Sequence, residues 1–302
     1  MSPVRKQKSS KRKKAKFPGL LSTLFLLMVS GLALSGSLLL PPPVTVSGNA
    51  RPVFENFART PAVIPDITST IKTCPLEQVR VPMLAIVIDD MGYDVKIDMA
   101  LIGLEAPLSF AFLPYAPHTA ELSRIVLKKG RELLVHLPLE AVNRKIDPGP
   151  GTLTLDMDHA STVSGLRKAI GRVKGASGLN NHMGSAYTAD RTHMIWLVEE
   201  LKHEGMFLLD SRTTKLTVAY DTAREMGLPT TWRDVFLDHR TDEQSIKKEL
   251  VRALKIASRN GSAVAIGHPH ATTLRVLYRE LPRIRKYVKI VPVSRLLCRM
   301  RK

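Results

Sequence analysis

The chain has 302 residues, of which 44% are hydrophobic, and its formal net charge is +18 at pH 7. This apolar content excludes a globally disordered chain and is enough for one large domain or two small ones. Only two cysteines occur, Cys74 and Cys298, which excludes a cysteine-rich zinc site and a disulfide-dense scaffold.

The N-terminus combines a basic segment, residues 1–16, with an apolar segment, residues 17–40. The first contains eight lysines and arginines and no acidic residue, and the second has no charged side chain over 24 residues. Such a run can cross a bilayer as a helix, with its basic flank kept in the cytoplasm. The pattern predicts a single-pass signal anchor in the cytoplasmic membrane, with the following domain on the periplasmic or extracytoplasmic side. Small residues at 33–37 leave a cleaved signal peptide and secretion as the alternative, and no nucleic-acid partner is predicted for the basic run.

A proline-rich segment separates this N-terminus from the predicted domain. Residues 41–80 contain seven prolines and little apolar periodicity, which predicts an extended linker. From residue 81 to residue 302, short apolar runs alternate with amphipathic stretches, as in proteins built from βα units. Cys74 and Cys298 lie near the two ends of this region, so the sequence is compatible with a disulfide or with two free thiols.

Eight strands are predicted in the domain, with helices between most of them. The helix Arg191 to His203 has Asp190 as its cap, and the helix Asp242 to Ser258 is preceded by a capping box of Thr241 and Gln244. This succession predicts an irregular (β/α) barrel of about seven to eight strands, and a doubly wound open sheet is the alternative. The predicted strands cover residues 83–88, 108–113, 132–137, 178–181, 206–209, 234–237, 263–266 and 289–293.

Polar side chains follow most of the predicted strands, at the edge where α/β barrels and open sheets place their functional sites. A carboxylate and two imidazoles at one such edge form a ligand set suited to zinc or a similar divalent ion. Each residue taken alone is equally compatible with a helix cap, a turn or a hydrogen-bonded core position. In strand order the residues are Asp89 and Asp90, His136 and Glu140, Asn180, Asn181 and His182, Asp210 and Ser211, Asp238 and His239, and finally His268, Pro269 and His270.

Five motifs spread over the domain carry a resemblance to a known family. They are LAIVIDDMG at 84–92, LLVHLPLE at 133–140, NNHMGS at 180–185, LLDSRT at 208–213 and AIGHPH at 265–270. From Leu84 to about Leu297 the chain resembles the divergent polysaccharide deacetylases, a branch of the NodB-like carbohydrate esterases. The resemblance implies a NodB-like barrel and a metal-dependent hydrolase. Its expected reaction is removal of acyl groups, most simply acetyl, from an envelope or extracellular polysaccharide such as peptidoglycan.

The resemblance also implies a metal site, with zinc as the expected ion. In NodB-like enzymes the first aspartate after strand one acts as a base and the second binds the metal, which implies these roles for Asp89 and Asp90. His136 matches the first histidine of a His-x-x-x-His motif, but Glu140 stands where the second would be. The usual arginine-containing motif is also absent, and His182 lies near its place in the chain. We therefore expect His182 to replace the missing ligand.

One further role follows from the same resemblance, and others follow from the polar residues at the strand ends. His268 matches the late histidine that serves as a general acid in these enzymes. Asp210 is expected at the catalytic site, and both Asp210 and Asp238 are expected to orient His268 or a metal ligand. Residues expected to bind substrate or to support the ligands are Glu140, Asn180, Asn181, Asp238 and His270.

Two other functions are compatible with parts of the sequence. The altered motifs also suit a non-catalytic envelope protein that uses the barrel to bind glycan or a protein partner. A Ser-His-Asp hydrolase would have Ser185 or Ser211 as its nucleophile, but the sequence lacks the Gly-x-Ser-x-Gly elbow of that class.

Overall fold

The computed structural model describes residues 81–297. The predicted signal anchor at 17–40, the linker at 41–80 and both cysteines lie outside the described residues, so neither the anchor nor a disulfide is tested. Within the described part of the chain, no helix combines the length and the apolar character needed to cross a membrane.

Strands and helices alternate along the described domain, as the apolar pattern predicts. The strands are β1 (Met83–Met91), β2 (Ser109–Phe112), β3 (Glu132–Leu139), β4 (Gly178–Met183), β5 (Phe207–Asp210), β6 (Thr230–Trp232), β7 (Val235–Phe236), β8 (Ser262–Gly267) and β9 (Lys289–Ile290). The helices are α1 (Val95–Ile102), α2 (Thr119–Lys128), α3 (His159–Arg172), α4 (Arg191–His203), α5 (Ala219–Glu225), α6 (Glu243–Asn260) and α7 (Ala271–Ile284).

The strands form one parallel sheet in the order β6-β5-β4-β3-β2-β1-β8-β7, with β9 beside the start of β1. No ladder joins β6 to β7 among the described strands, although only Arg233 and Asp234 separate them. The N–H of Arg233 donates to the carbonyl of Asp210 in β5, and the N–H of Asp234 donates to Val264 in β8. One extended segment therefore connects the two ends of the sheet. The architecture is an irregular, incompletely hydrogen-bonded α/β barrel, whose strands follow chain order instead of reversing about a central switch point.

Two apolar clusters lie on opposite faces of the sheet. Leu84 and Ile86 of β1 pack in the larger cluster, which includes the buried faces of the helices. Ala85 and Val87 belong to a smaller cluster that contains only strand residues and the C-terminal segment. This alternation follows from the two-residue period of a strand and places the smaller cluster inside the curved sheet. The near-continuous apolar runs in the sequence reflect strands that are covered on both faces.

The C-terminal segment closes the barrel where the strands begin. A short 3₁₀ helix, Val293–Leu296, follows β9, and its first N–H donates to Oε2 of Glu132 at 2.8 Å. The hydroxyl of Ser109 donates to the same oxygen at 2.6 Å. Glu132 at the start of β3 therefore ties the end of the domain to the sheet.

The structure differs from the sequence-based prediction at two local positions. Strand β6 was not predicted, and the capping box at the start of α6 is wrong by one residue. Asp242 is the cap, and its side chain accepts a hydrogen bond from the N–H of Ser245 at 2.9 Å. The negative charge of this carboxylate also interacts favourably with the positive end of the helix dipole. The Arg191–His203 helix and its Asp190 cap are confirmed.

Asp98 in α1 is a buried carboxylate whose ionisation should weaken the fold. Its Oδ2 accepts from the N–H of Gly92 at 2.8 Å, while Oδ1 has no hydrogen-bond partner. Burial raises the pKa of Asp98 to about 6, although the Gly92 hydrogen bond opposes this effect. Because the folded-state pKa lies above the ordinary value of 3.8, stability contributed by the protonated form is lost as the pH rises through about 6.

We therefore expect Asp98→Asn to gain about 1 kcal/mol in unfolding free energy relative to wild type near pH 8, and no such gain near pH 3. The amide can still accept the Gly92 hydrogen bond but carries no buried charge. Urea unfolding of both proteins at the two pH values measures the difference. An equal effect at both pH values would contradict this explanation.

Candidate metal centre and catalytic residues

The site lies at the carboxyl ends of β1, β3, β4 and β8. The ladder between β1 and β2 is irregular between Ile88 and Met91, and Asp90 within this bulge has φ 54°. A positive φ is uncommon for a residue other than glycine, and bulges often redirect a side chain next to a functional site. Neighbours in a regular strand point to opposite faces, but here Asp89 and Asp90 both approach Nε2 of His136, at 3.7 and 3.1 Å.

Asp90, His136 and His182 bring three potential ligand atoms together. Oδ1 of Asp90 lies 3.1 Å from Nε2 of His136 and 2.9 Å from Nδ1 of His182. The two imidazole nitrogens are 3.1 Å apart. These three residues are the predicted ligand set, and they come from three separate strands.

The triangle formed by Asp90 Oδ1, His136 Nε2 and His182 Nδ1 has dimensions that fit a divalent metal ion. Two ligand atoms on a tetrahedral zinc ion lie about 3.3 Å apart when each is about 2.0–2.1 Å from the metal. Oδ1 of Asp90 is buried, yet neither nearby imidazole satisfies hydrogen-bond geometry toward it. The three atoms are therefore close enough to share one ion, and a carboxylate with two imidazoles is a donor set that zinc and similar ions accept.

Electrostatics keeps the carboxylate of Asp90 ionised. Burial alone would raise the pKa of Asp90, but the adjacent imidazoles of His136 and His182 outweigh burial and hold this pKa well below its usual value. Burial alone would lower the pKa of His136, but the carboxylates of Asp89 and Asp90 raise it. Positive charge is thus favoured at this position, and a bound cation would replace a proton.

Asp89 is fully enclosed beside the triangle. It is 1% exposed, and its Oδ2 lies 3.7 Å from Nε2 of His136. The Nδ2 group of Asn180 donates to both of its carboxylate oxygens, at 2.8 and 3.0 Å. Burial raises the pKa of Asp89, and the nearby His136 opposes this shift. A carboxylate with this environment is suited to accept a proton.

His268 and Asp238 form a second polar pair at the end of β8. Oδ1 of Asp238 accepts from Nδ1 of His268 at 2.8 Å, and Oδ2 accepts from the N–H of His268 and the hydroxyl of Thr273, each at 2.7 Å. The opposite ring nitrogen, Nε2, lies 4.0 Å from Oδ2 of Asp90. Burial opposes the charged imidazole, but Asp238 outweighs burial and raises the pKa of His268 to about 9. The ring is therefore protonated at neutral pH.

Glu140 lies at the end of β3 but is not part of the ligand triangle. Its Oε2 accepts from the N–H of Leu155 at 2.7 Å, and its Oε1 pairs with Nε of Arg144 at 2.9 Å. Its backbone carbonyl accepts from the N–H groups of Ala186 and Tyr187. Glu140 therefore holds together the loops that follow β3 and β4.

Asp210 and Asn181 also hold loops at this rim. The carboxylate of Asp210 accepts from the N–H of Arg212 at 2.8 Å and from the hydroxyl of Thr217 at 3.0 Å. The amide of Asn181 donates to the carbonyl of Met183 at 2.8 Å and accepts from the N–H of Ser211 at 2.9 Å. Of the two aspartates expected to orient His268, Asp238 contacts it, whereas the side chain of Asp210 accepts from Arg212 and Thr217.

Two further residues, His270 and Thr273, lie near the His268–Asp238 pair. His270 is exposed, and its ring centroid lies 6.1 Å from that of His268. Thr273 was not predicted as a site residue, although it positions Asp238. Its location three residues after His270, in the first turn of a helix, is a weak signal that many structural threonines share.

The chain belongs to the divergent polysaccharide deacetylase family. The sequence model of that family, described as "Divergent polysaccharide deacetylase", matches residues 86–297. This match confirms the resemblance carried by the five motifs, and the conclusion applies to the domain that contains the triangle.

Two curated relatives and one solved structure extend this comparison. An uncharacterized protein of Haemophilus influenzae is 36% identical over 214 residues, which cover 70% of this chain and 76% of the relative. The uncharacterized protein YibQ of Escherichia coli is 35% identical over 214 residues, covering 71% and 67%. The crystal structure of the uncharacterized protein ATU2773 from Agrobacterium tumefaciens has a TM-score of 0.69 at 22% identity and covers 74% of this chain and 92% of that one. This structural likeness supports the fold.

Proposed function

We propose that the protein is a divalent-metal-dependent hydrolase that removes acyl groups, most simply acetyl, from a polysaccharide of the cell envelope. The observation that carries this proposal is the convergence of Asp90 Oδ1, His136 Nε2 and His182 Nδ1 within 3.1 Å of one another. The basic and apolar segments at 1–40 further suggest action outside the cytoplasmic membrane, with residues 17–40 as the anchor.

Asp90, His136 and His182 would hold the ion, with zinc as the expected metal. A bound divalent ion would polarise the acyl carbonyl and acidify a water molecule. Asp89 would take a proton from the attacking water, whose oxygen forms the new bond to the acyl carbon. Its enclosure beside His136, with the carboxylate fixed by Asn180, suits it to act as this base.

His268 would complete the reaction as the general acid. When the bond from the acyl carbon to the sugar nitrogen or oxygen breaks, Nε2 of His268 would give its proton to that leaving atom. The hydrogen bond from Nδ1 to Asp238 leaves Nε2 as the nitrogen that faces the site. The products are acetate and a free amine or hydroxyl group on the sugar, and the proton taken up by Asp89 replaces the one that His268 gives away.

The direct test is acetate release by the full chain, solubilised in detergent, from a panel of N-acetylated and O-acetylated glycans that includes peptidoglycan. We expect release from at least one substrate, a loss of about a thousandfold or more after chelation, and recovery when zinc is restored, because several kcal/mol of charge stabilisation would depend on the ion. Stoichiometric metal without release from any glycan would contradict the hydrolase. Glycan binding in that case would favour the non-catalytic alternative.

A further inference from the structure

Asn180 is a buried amide that lies between the proposed base and a proposed metal ligand. It is fully buried on β4, and the register between β3 and β4 places it directly beside His136. Its Nδ2 group donates to both oxygens of Asp89, and its Oδ1 lies 2.9 Å from Nδ1 of His136. One side chain thus contacts two groups that have different roles in the proposed reaction.

The chemistry of these two partners fixes the orientation of the amide. An ionised carboxylate only accepts hydrogen bonds, so the NH₂ group of Asn180 faces Asp89 and its carbonyl oxygen faces His136. Because that oxygen can only accept, Nδ1 of His136 carries a hydrogen. The neutral ring then has an unprotonated Nε2, which is the atom 3.1 Å from Oδ1 of Asp90.

We propose that Asn180 is a positioning residue that serves the metal site and the base with one amide. Its oxygen selects the tautomer in which His136 presents the Nε2 lone pair to the ion. Its NH₂ group holds the carboxylate of Asp89 beside the same position. This inference rests on the proposed function, because it assigns a role toward the metal that Asp90, His136 and His182 would bind.

The matched control for this role is the neighbouring residue. Asn181 is the same residue type and 3% exposed, but strand alternation points it to the other face of β4. Its hydrogen bonds go to the backbone of Met183 and Ser211 and, at 3.5 Å, to the hydroxyl of Thr213. Asn180→Leu and Asn181→Leu therefore remove equivalent buried amides, and only the first removes contacts with Asp89 and His136.

The measurement is zinc affinity of the full chain in detergent, by competition with a chelating indicator. We expect Asn180→Leu to bind zinc about 10- to 100-fold more weakly than wild type, as for other hydrogen-bond partners of metal-bound histidines, and Asn181→Leu to bind zinc more tightly than Asn180→Leu because it keeps the contacts with Asp89 and His136. Nuclear magnetic resonance of the zinc-loaded proteins gives a second readout. An exchange-protected imidazole N–H signal from His136 should be present in wild type and in Asn181→Leu and absent in Asn180→Leu.

The possible outcomes separate this inference from the proposed function. Unchanged zinc affinity in Asn180→Leu, or an equal loss in both variants, would overturn the positioning role. Should Asn180→Leu fail to fold, Asn180→Ser provides the same test, since its short side chain cannot bridge Asp89 and His136. A wild-type protein that binds no zinc would overturn both proposals. A zinc-binding wild type that releases no acetate overturns the hydrolase alone.

Discussion

Replacing His136 or His182 by alanine is expected to abolish stoichiometric binding of a divalent metal and to lower acetate release by about a thousandfold or more. Each imidazole supplies one corner of the triangle, with nitrogen atoms 3.1 and 2.9 Å from Oδ1 of Asp90. With one corner missing, Asp90 and a single imidazole remain, which is fewer than the three protein ligands of a catalytic zinc site. Elemental analysis of the purified variants measures the metal, and the glycan panel measures turnover.

His193→Ala is the control for these two variants. His193 is also a largely buried imidazole close to a carboxylate, since its Nδ1 lies 2.8 Å from Oδ1 of Asp190. It belongs to the start of α4 and is not one of the three converging residues. We expect this variant to keep its metal, even if the lost hydrogen bond reduces stability. Full metal content in either His136→Ala or His182→Ala would remove that residue from the site.

Replacing His268 by alanine should lower turnover by about a hundred- to ten-thousandfold, the range typical of a lost general acid, while metal content stays unchanged. His268 is not a corner of the triangle, because its Nε2 is 4.0 Å from Asp90 and its Nδ1 is held by Asp238. Retained metal with lost turnover would thus separate proton donation from metal binding. A parallel loss of metal would show instead that His268 supports the ion.

Asp238→Asn tests the same role from the other side of the ring. Asparagine keeps the size of Asp238 but removes the charge that raises the pKa of His268 to about 9. The imidazole would then lose its proton at a lower pH than in wild type. We therefore expect the turnover of Asp238→Asn to begin to fall at a lower pH. His239→Ala, which changes an exposed imidazole next to Asp238, serves as the control and should leave the pH of this fall unchanged.

The sequence predicted the positions of most strands because most of them are compact apolar runs. Strand β6 was not predicted, because it is three residues long and lacks such a run. Its extended conformation depends on pairing with β5. The start of α6 was misplaced because Thr241 and Asp242 are both good caps, and only the folded backbone decides between them. Barrel closure by Arg233 and Asp234 leaves no local signal, since it depends on hydrogen bonds to distant strands.

The candidate site was predictable to the level of residue types at strand ends. The convergence of Asp90, His136 and His182 follows from parallel strands that end at one edge. The sequence placed Asn180 among the residues expected to bind substrate or to support the ligands. Its contact with His136 was not predictable, because it depends on the register that sets it beside a residue 44 positions away. Nor does the sequence show that the side chain of Glu140 accepts a hydrogen bond from the N–H of Leu155.

The pairing of β9 with β1 links the first and last parts of the described domain. Lys289 and Ile290 complete the ladder at the start of β1, and the helix that follows them is held by Glu132. Contacts of such large sequence separation cost more loop-closure entropy and form slowly. The domain therefore cannot complete its fold during synthesis before residues 289–296 have been made, and deletion of these residues should expose apolar strand surface to aggregation and proteolysis.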